Sequence, residues 1–221
     1  MSAKTKTVKV PTEMAPLFEN AESLFRAYFD ELELRPENAD ITVAGARYLL
    51  LRTDSFSLEL QQELRTTFGE VGARQIRYRL AKALGARDAR HYHERLDVDD
   101  PKMRIALGPV HFAFVGWAQV EMLPESRPVS DENALLVYVH HRSFEADAYL
   151  ANDMRSTEPV CHMNAGYSAG WVQQSLGVEL DSMELTCRAR GDAQCGFVMA
   201  PPTKLREECE RWRGRFDAPA D

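Results

Sequence analysis

The feature that most constrains this chain is a set of four residues in its last quarter. Cys187 and Cys195 flank Arg190-Gly191-Asp192-Ala193, a hairpin-turn sequence, so strands over VELDSMELTCRA and QCGFVMA bring two sulfurs together. Glu184 lies three residues before Cys187 on the first of those strands. Cys161 stands at the start of the preceding helical run, where the backbone dipole favours thiolate. Three thiolates and one carboxylate form a closed tetrahedral donor set with no open position, which suits a structural zinc ion. Such a site carries a net charge of about −2, to be offset by nearby N–H donors or by Arg188. Two other readings fit the same spacing: three cysteines packed as small apolar side chains with Glu184 on a solvated face, and a Cys187–Cys195 disulfide. Cys209 sits in a charged helix away from the set.

The redox setting bears on that choice. The N-terminus, MSAKTKTVKVPTEM, is basic without a following apolar run, so it does not read as a secretory signal. No stretch approaches the 18 continuous apolar residues of a membrane span. A cytoplasmic location follows as the expectation, and there thiols stay reduced. The formal net charge is −7, and Arg87, Arg90 and Arg95 have Asp88, Glu94 and Asp97 beside them. An acidic chain without a basic face gains nothing from counterion release, so direct nucleic-acid binding by this chain is not expected. With 44% hydrophobic residues, the 221-residue chain can bury one large core or two small ones closely packed.

Periodicity predicts an α+β fold: an N-terminal, mainly helical segment packed on a small antiparallel sheet with helices and a zinc-bound hairpin. Residues 1–30 read as an arm, or an edge strand for a partner, followed by a dimerisation helix over APLFENAESLFRAYFD. Residues 31–100 carry a short β run at Ile41 and Val43 bent by Gly45. They continue with a helix capped by Ser55 or Ser57 and stopped by Gly69, a second ending at Gly85, and a third capped by Asp88. In 101–200, MRIALGPVHFAFVGWAQVEML reads as two strands bent at Gly108-Pro109 and Gly116, and ENALLVYVHH as another. A helix capped by Ser143, with Glu145 near its start, follows; then comes one from Pro159 to Gly177. Small residues Gly166, Ala169 and Gly170 point to close packing of that helix on a strand. Residues 201–221 read as a charged C-terminal helix and linker.

The segment EPVCHMNAGYSAGW…LGVELDSMELTCRARGDAQC resembles the 4-vinyl reductase domain family. It is most similar to the sensory domain of sigma-54-dependent activators that respond to phenols and toluenes. RYLLLRTDSFSLELQQELRTTFGEVGARQIRYRLAKALGARDA is similar to the helical part of those sensors, GPVHFAFVGWAQVE to the strand pair flooring their pocket, and SFEADAYL to the next helix. The resemblance covers roughly residues 30–212 and implies zinc held by Cys161, Glu184, Cys187 and Cys195, whose intervals of 23, 3 and 8 match the family's ligands. It also implies a pocket for a small hydrophobic or aromatic ligand, with Phe112, Tyr138, His140, Trp171, Ser182 and His111 as candidate binding residues.

The histidine and tryptophan that hold a phenol hydroxyl in that family fall on Phe112 and His140 here, so phenol itself is disfavoured. His111, opposite Phe112 if the segment is a strand, cannot replace it. No GxxxxGK[ST] loop and no helix-turn-helix with basic flanks after residue 200 is present, so the chain reads either as the sensory part of a longer activator or as a stand-alone relative. His91 and His93 read as solvated surface, and His162 as a neighbour of the metal. No histidine has the partner arrangement of a nucleophile system, and no catalytic residue is assigned. The reading is a zinc-stabilised effector-sensing, homodimeric regulator of transcription acting through an output partner or further module. The alternatives are an enzyme or accessory protein handling a hydrophobic substrate such as a tetrapyrrole, and a dimerisation module with a collapsed pocket.

Overall fold

A computed structural model describes residues 2–216, with side chains from residue 5 onward; Met1 of the expected arm and residues 217–221 of the expected C-terminal segment lie outside the described residues. The chain opens with β1 (Ser2–Lys4) and β2 (Lys9–Pro11), then α1 (Ala15–Phe29). A small meander of β3 (Leu32–Arg35), β4 (Asp40–Val43) and β5 (Ala46–Arg47) follows. After a π-helical turn at Ser55–Glu59 come α2 (Leu60–Arg95) and α3 (Pro101–Phe114). The second half comprises β6 (Ala118–Met122), β7 (Leu136–Ser143), α4 (Phe144–Ala151), α5 (His162–Leu176), β8 (Asp181–Thr186), β9 (Cys195–Ala200) and α6 (Pro202–Phe216). The architecture is α+β, with a six-stranded sheet in the order β1-β2-β6-β7-β9-β8 and a separate three-stranded sheet β3-β4-β5. No helix among the described residues is long and apolar enough to cross a membrane.

Alternation along β7 and β9 decides which face meets which layer. Leu136, Tyr138, Phe197 and Met199 face the main core under α3 and α5, while Leu135, Val137, Val139, Val198 and Ala200 face Cys209, Trp212 and Phe216 of α6. The sheet therefore has helices on both faces, and Cys209 is buried in the second core rather than idle in a solvated helix. The N-terminal strands complete the chain's own sheet: β2 pairs in parallel with β6 at Lys9 and Glu121.

Several local expectations are corrected. The run expected as two strands is one helix, α3, and only β6 is extended. Asp100 caps it by accepting the Met103 N–H at 3.0 Å, and Pro101 starts it, a strong N-terminal pair. Burial on nearly every side erased the 3.6-residue period, and Pro109 lies within the helix. On a helix, His111 and Phe112 are about 100° apart rather than on opposite faces, and both are buried. Gly69 does break α2 (φ 69°), but the helix runs on through Gly85 to Arg95, and Asp88 lies inside it instead of capping a third helix. Ser55 and Ser57 fall within the π-helical turn and make no cap; Ser57 is buried. Ser143 precedes α4 without a side-chain cap bond, and α5 begins at His162, three residues after Pro159.

The glycines of α5 pack against a helix, not a strand. A Cβ at Gly166 would lie 2.2 Å from the Tyr78 carbonyl oxygen, one at Gly170 2.0 Å from that of Lys82, and one at Gly85 2.2 Å from that of Tyr167. These contacts set α2 and α5 at backbone-to-backbone distance, where no other residue fits. Replacing Gly170 with Ala is therefore expected to lower stability by about 2–3 kcal/mol. Gly214→Ala, in open space on α6, leaves stability unchanged or slightly higher; thermal melts of the two variants with equal midpoints would refute the close-approach account.

Candidate functional site

Cys161, Glu184, Cys187 and Cys195 converge: one donor atom from each lies within 4.8 Å of all the others, and all four residues are buried. The Sγ atoms of Cys161 and Cys195 are 3.7 Å apart. Ligands at about 2.3 Å in a tetrahedron would put sulfurs about 3.8 Å apart, so the residues present fit a four-coordinate ion. All four cysteines are free thiols, and no Cys187–Cys195 disulfide spans the hairpin. The buried Glu184 Oε1 has no hydrogen-bond partner, while Oε2 accepts the Cys161 N–H at 2.7 Å. Burial, reinforced by neighbouring thiols, raises the Cys161 thiol; burial and the charge of Cys187 raise the Glu184 carboxyl. A divalent cation reverses both tendencies by favouring the ionised ligands.

The local scaffold explains the convergence. Asp192 accepts the Cys187 N–H at 2.7 Å and Arg190 Nε at 2.8 Å, closing the turn around Gly191 at φ 108°. Offset of the ligand charge comes from backbone and hydroxyl groups: Arg188 N–H donates to Cys195 Sγ at 3.4 Å, and Ser143 Oγ lies 3.2 Å from Cys161 Sγ. The Arg188 guanidinium itself pairs with Asp147 on α4, which ties the turn to that helix.

A buried polar network that sequence patterning missed anchors Cys161's helix. Glu145, 1% exposed, accepts the N–H groups of Met163 (3.1 Å) and Asn164 (2.9 Å), and Asn164 Nδ2 at 3.0 Å. It caps α5 from a different helix, an arrangement invisible to local spacing. Arg77, 2% exposed, lies 3.6 Å from Glu145 and donates to Gln61 at 2.9 Å; Gln61 in turn bonds the Tyr149 hydroxyl. A buried carboxylate is tolerated when surrounded this way, and removing one partner of such a pair costs about 3–5 kcal/mol. The only sequence signal was the pair of strong helix-terminus residues around 143–145, which pointed to α4 instead.

An apolar cavity of about 40 Å³ lies beside this centre. Gly108 and Phe112 of α3, Val120 of β6, Leu136 and Tyr138 of β7, and Trp171 of α5 are among its walls. The polar ends of its aromatic walls are engaged away from the space. Tyr167 donates to Asp88 at 2.7 Å, Trp171 Nε1 to the Arg104 carbonyl at 2.8 Å, and Tyr138 OH pairs with Ser182 Oγ at 2.8 Å. Burial pushes the Tyr138 phenol up to about 12, so it stays neutral.

Of the candidate binding residues, Phe112, Tyr138 and Trp171 line the cavity, and Ser182, His111 and His140 stand one layer back. Ser182 holds Tyr138. His111 stacks on Trp171 at 5.4 Å, and its Nδ1 lies 3.2 Å from the Tyr167 hydroxyl. His140 is fully buried among Phe112, Tyr138 and Phe197, with both ring nitrogens unpartnered. Burial pushes it down to about 3, so its imidazole is neutral. His140 pairs across the sheet with Cys195, which joins the cavity to the metal ligands. His93 is buried edge-on to Trp171 at 5.9 Å rather than solvated, because α2 turns that face inward.

Residues 141–201 match the model of the 4-vinyl reductase domain, and residues 29–125 match the family described as activator of aromatic catabolism. The phenol regulator MopR of Acinetobacter guillouiae is 26% identical over 175 residues, 78% of this chain; the chain spans 30% of that protein's length. The phenol-responsive sensory domain of the transcription activator PoxR, solved with phenol, shares 22% identity and superposes with a TM-score of 0.72 over 95% of this chain and 99% of that one. These matches bear out the resemblance seen in the sequence, and the last shows the fold.

The donor set yields a direct expectation. Protein purified without added metal should carry one divalent ion per chain, and Cys187→Ser should lose it together with several degrees of thermal stability. Elemental analysis finding metal-free, fully folded wild-type protein would refute a structural ion here.

Proposed function

We propose that this chain is the effector-sensing part of a cytoplasmic transcription regulator, and not an enzyme. An apolar aromatic ligand binds between α3, α5 and β7, and a structural zinc ion on Cys161, Glu184, Cys187 and Cys195 stiffens the pocket's far wall. The observation that carries this reading is the cavity itself: apolar walls, with the hydrogen-bonding ends of Tyr138, Tyr167 and Trp171 committed elsewhere. The regulatory descriptions of MopR and PoxR support it, and the output runs through a partner or further module. Phe112, Tyr138 and Trp171 act as walls, and His140, His111 and Ser182 set their positions and the polarity behind them.

Size makes the binding a switch rather than a simple fit. A dry cavity of about 150 Å³ is needed for benzene, and the space here is about 40 Å³. Binding must move side chains on α3 or α5, and that movement is the differential interaction a sensor requires. A neutral hydrocarbon meets no unsatisfied demand here, whereas a phenol hydroxyl must be desolvated against Phe112. Calorimetry should therefore show toluene binding more tightly than phenol. Phe112→His should reverse the order by giving the hydroxyl a partner, a gain of about 1 kcal/mol or more. Failure of any aromatic to bind the folded, metal-loaded chain would sink the sensor reading.

The reading includes a homodimer. Leu49, Leu50 and Leu51 are 79%, 84% and 58% exposed, next to exposed Leu32 and Leu34 on the small meander. Three consecutive solvated leucines with two more beside them form a patch that a second copy would cover. Sedimentation should give a dimer that Leu50→Asp converts to monomer; a wild-type monomer at micromolar concentration contradicts the assignment.

A further inference from the structure

Beyond the effector cavity and the metal centre, the largest cleft in the described residues runs between α2, the start of α5, β8 and α6. Its volume is about 820 Å³, within the range of sites that hold a drug-sized molecule or a short segment of chain. Its charge opposes that of the chain as a whole, whose net charge is −7. Arg74, Arg79, Arg190 and Arg213 all line it. Arg79 and Arg213 are exposed and make no ion pair or hydrogen bond among the described residues. Of the lining acids, Asp181 is held by Lys82 at 2.7 Å and by Tyr78 at 2.9 Å, and Glu184 is turned into the metal centre. Only Glu158 remains to oppose the guanidinium groups.

A second observation points the same way. The cleft shares Arg74, Glu158, Pro159 and His162 with a smaller chamber of about 140 Å³, also lined by Arg65 and Arg77. Arg77 is 2% exposed, and its Nε has no partner. Between the charged groups the cleft is apolar: Met183, 45% exposed, lies on β8, and Leu205 faces it from α6.

We propose that this cleft docks an acidic, partly apolar segment of a partner protein, its carboxylates on Arg79 and Arg213 and its apolar side chains on Met183 and Leu205. Alternating cationic and apolar patches fit such a segment better than a nucleotide. The one aromatic ring in the cleft, Tyr78, has its hydroxyl committed to Asp181 and to the Ser182 N–H, and no glycine-rich phosphate loop is present. Because α6 forms one wall and also covers the sheet face behind the effector cavity, an occupied cleft would bear on the helix that senses the sheet.

The test uses the full, metal-loaded chain and a short fluorescent peptide alternating Glu and Leu, read by anisotropy. Wild-type protein should bind it with an affinity that falls as salt rises, and R79E/R213E should weaken it by about tenfold or more. The exposed charges make that variant unlike a core mutation, and its metal content and melting point should match wild type. Unchanged affinity in the variant, no binding of the peptide, or displacement by ATP with no dependence on the leucines would each overturn the proposal; the last would make the cleft a nucleotide site.

Discussion

The backbone contact between α2 and α5 is the constraint on which the rest of this structure depends. Gly85, Gly166 and Gly170 let the two helices touch at distances that any Cβ would violate. That contact fixes α5, and α5 carries both functional features. Its first turn follows Cys161, and its middle supplies Tyr167, Ser168 and Trp171 to the cavity. A shift of α5 by a methyl group's width would spoil the metal geometry at one end and the cavity wall at the other.

The metal centre and the cavity are also joined through the sheet. His140 of β7 pairs with Cys195 of β9, two residues from Tyr138 on the cavity wall. The opposite face of the same strands packs on Trp212 and Phe216 of α6, and a Cβ at Gly196, the residue after Cys195, would lie 2.7 Å from the Phe216 ring. Ligand, ion and C-terminal helix are thus separated by a single sheet thickness. A displacement of α3 or α5 by an aromatic ring has a short, densely packed route to α6, since close-packed interiors transmit strain instead of absorbing it.

The charge economy of the centre rests on buried polar groups that local patterns do not reveal. Glu145 reaches the N-terminus of α5 from α4, and Arg77 meets it from α2. Each would be costly alone; together with Gln61 and Asn164 they satisfy one another. The guanidinium of Arg188 is drawn to Asp147, leaving its backbone N–H to serve Cys195.

How much was legible follows from the range of each interaction. The donor set was readable because Glu184, Cys187 and Cys195 are close in sequence and Gly191-Asp192 forces the turn that joins them. The amphipathic α1 and strand β7 announced themselves by clear periods. Segment 101–114 did not, because burial on both sides removes the polar face that distinguishes helix from strand, and Gly108-Pro109 mimics a bend. Gly85 looked like a helix stop because its real purpose, approach to Tyr167, lies on another helix. Sequence alone thus determined the ligand chemistry and the α+β class, both of which rest on residue type and short-range order. Tertiary structure decided the cavity's size, the partner of each buried charge, and which aromatics face the open space, because these depend on contacts between segments far apart in the chain.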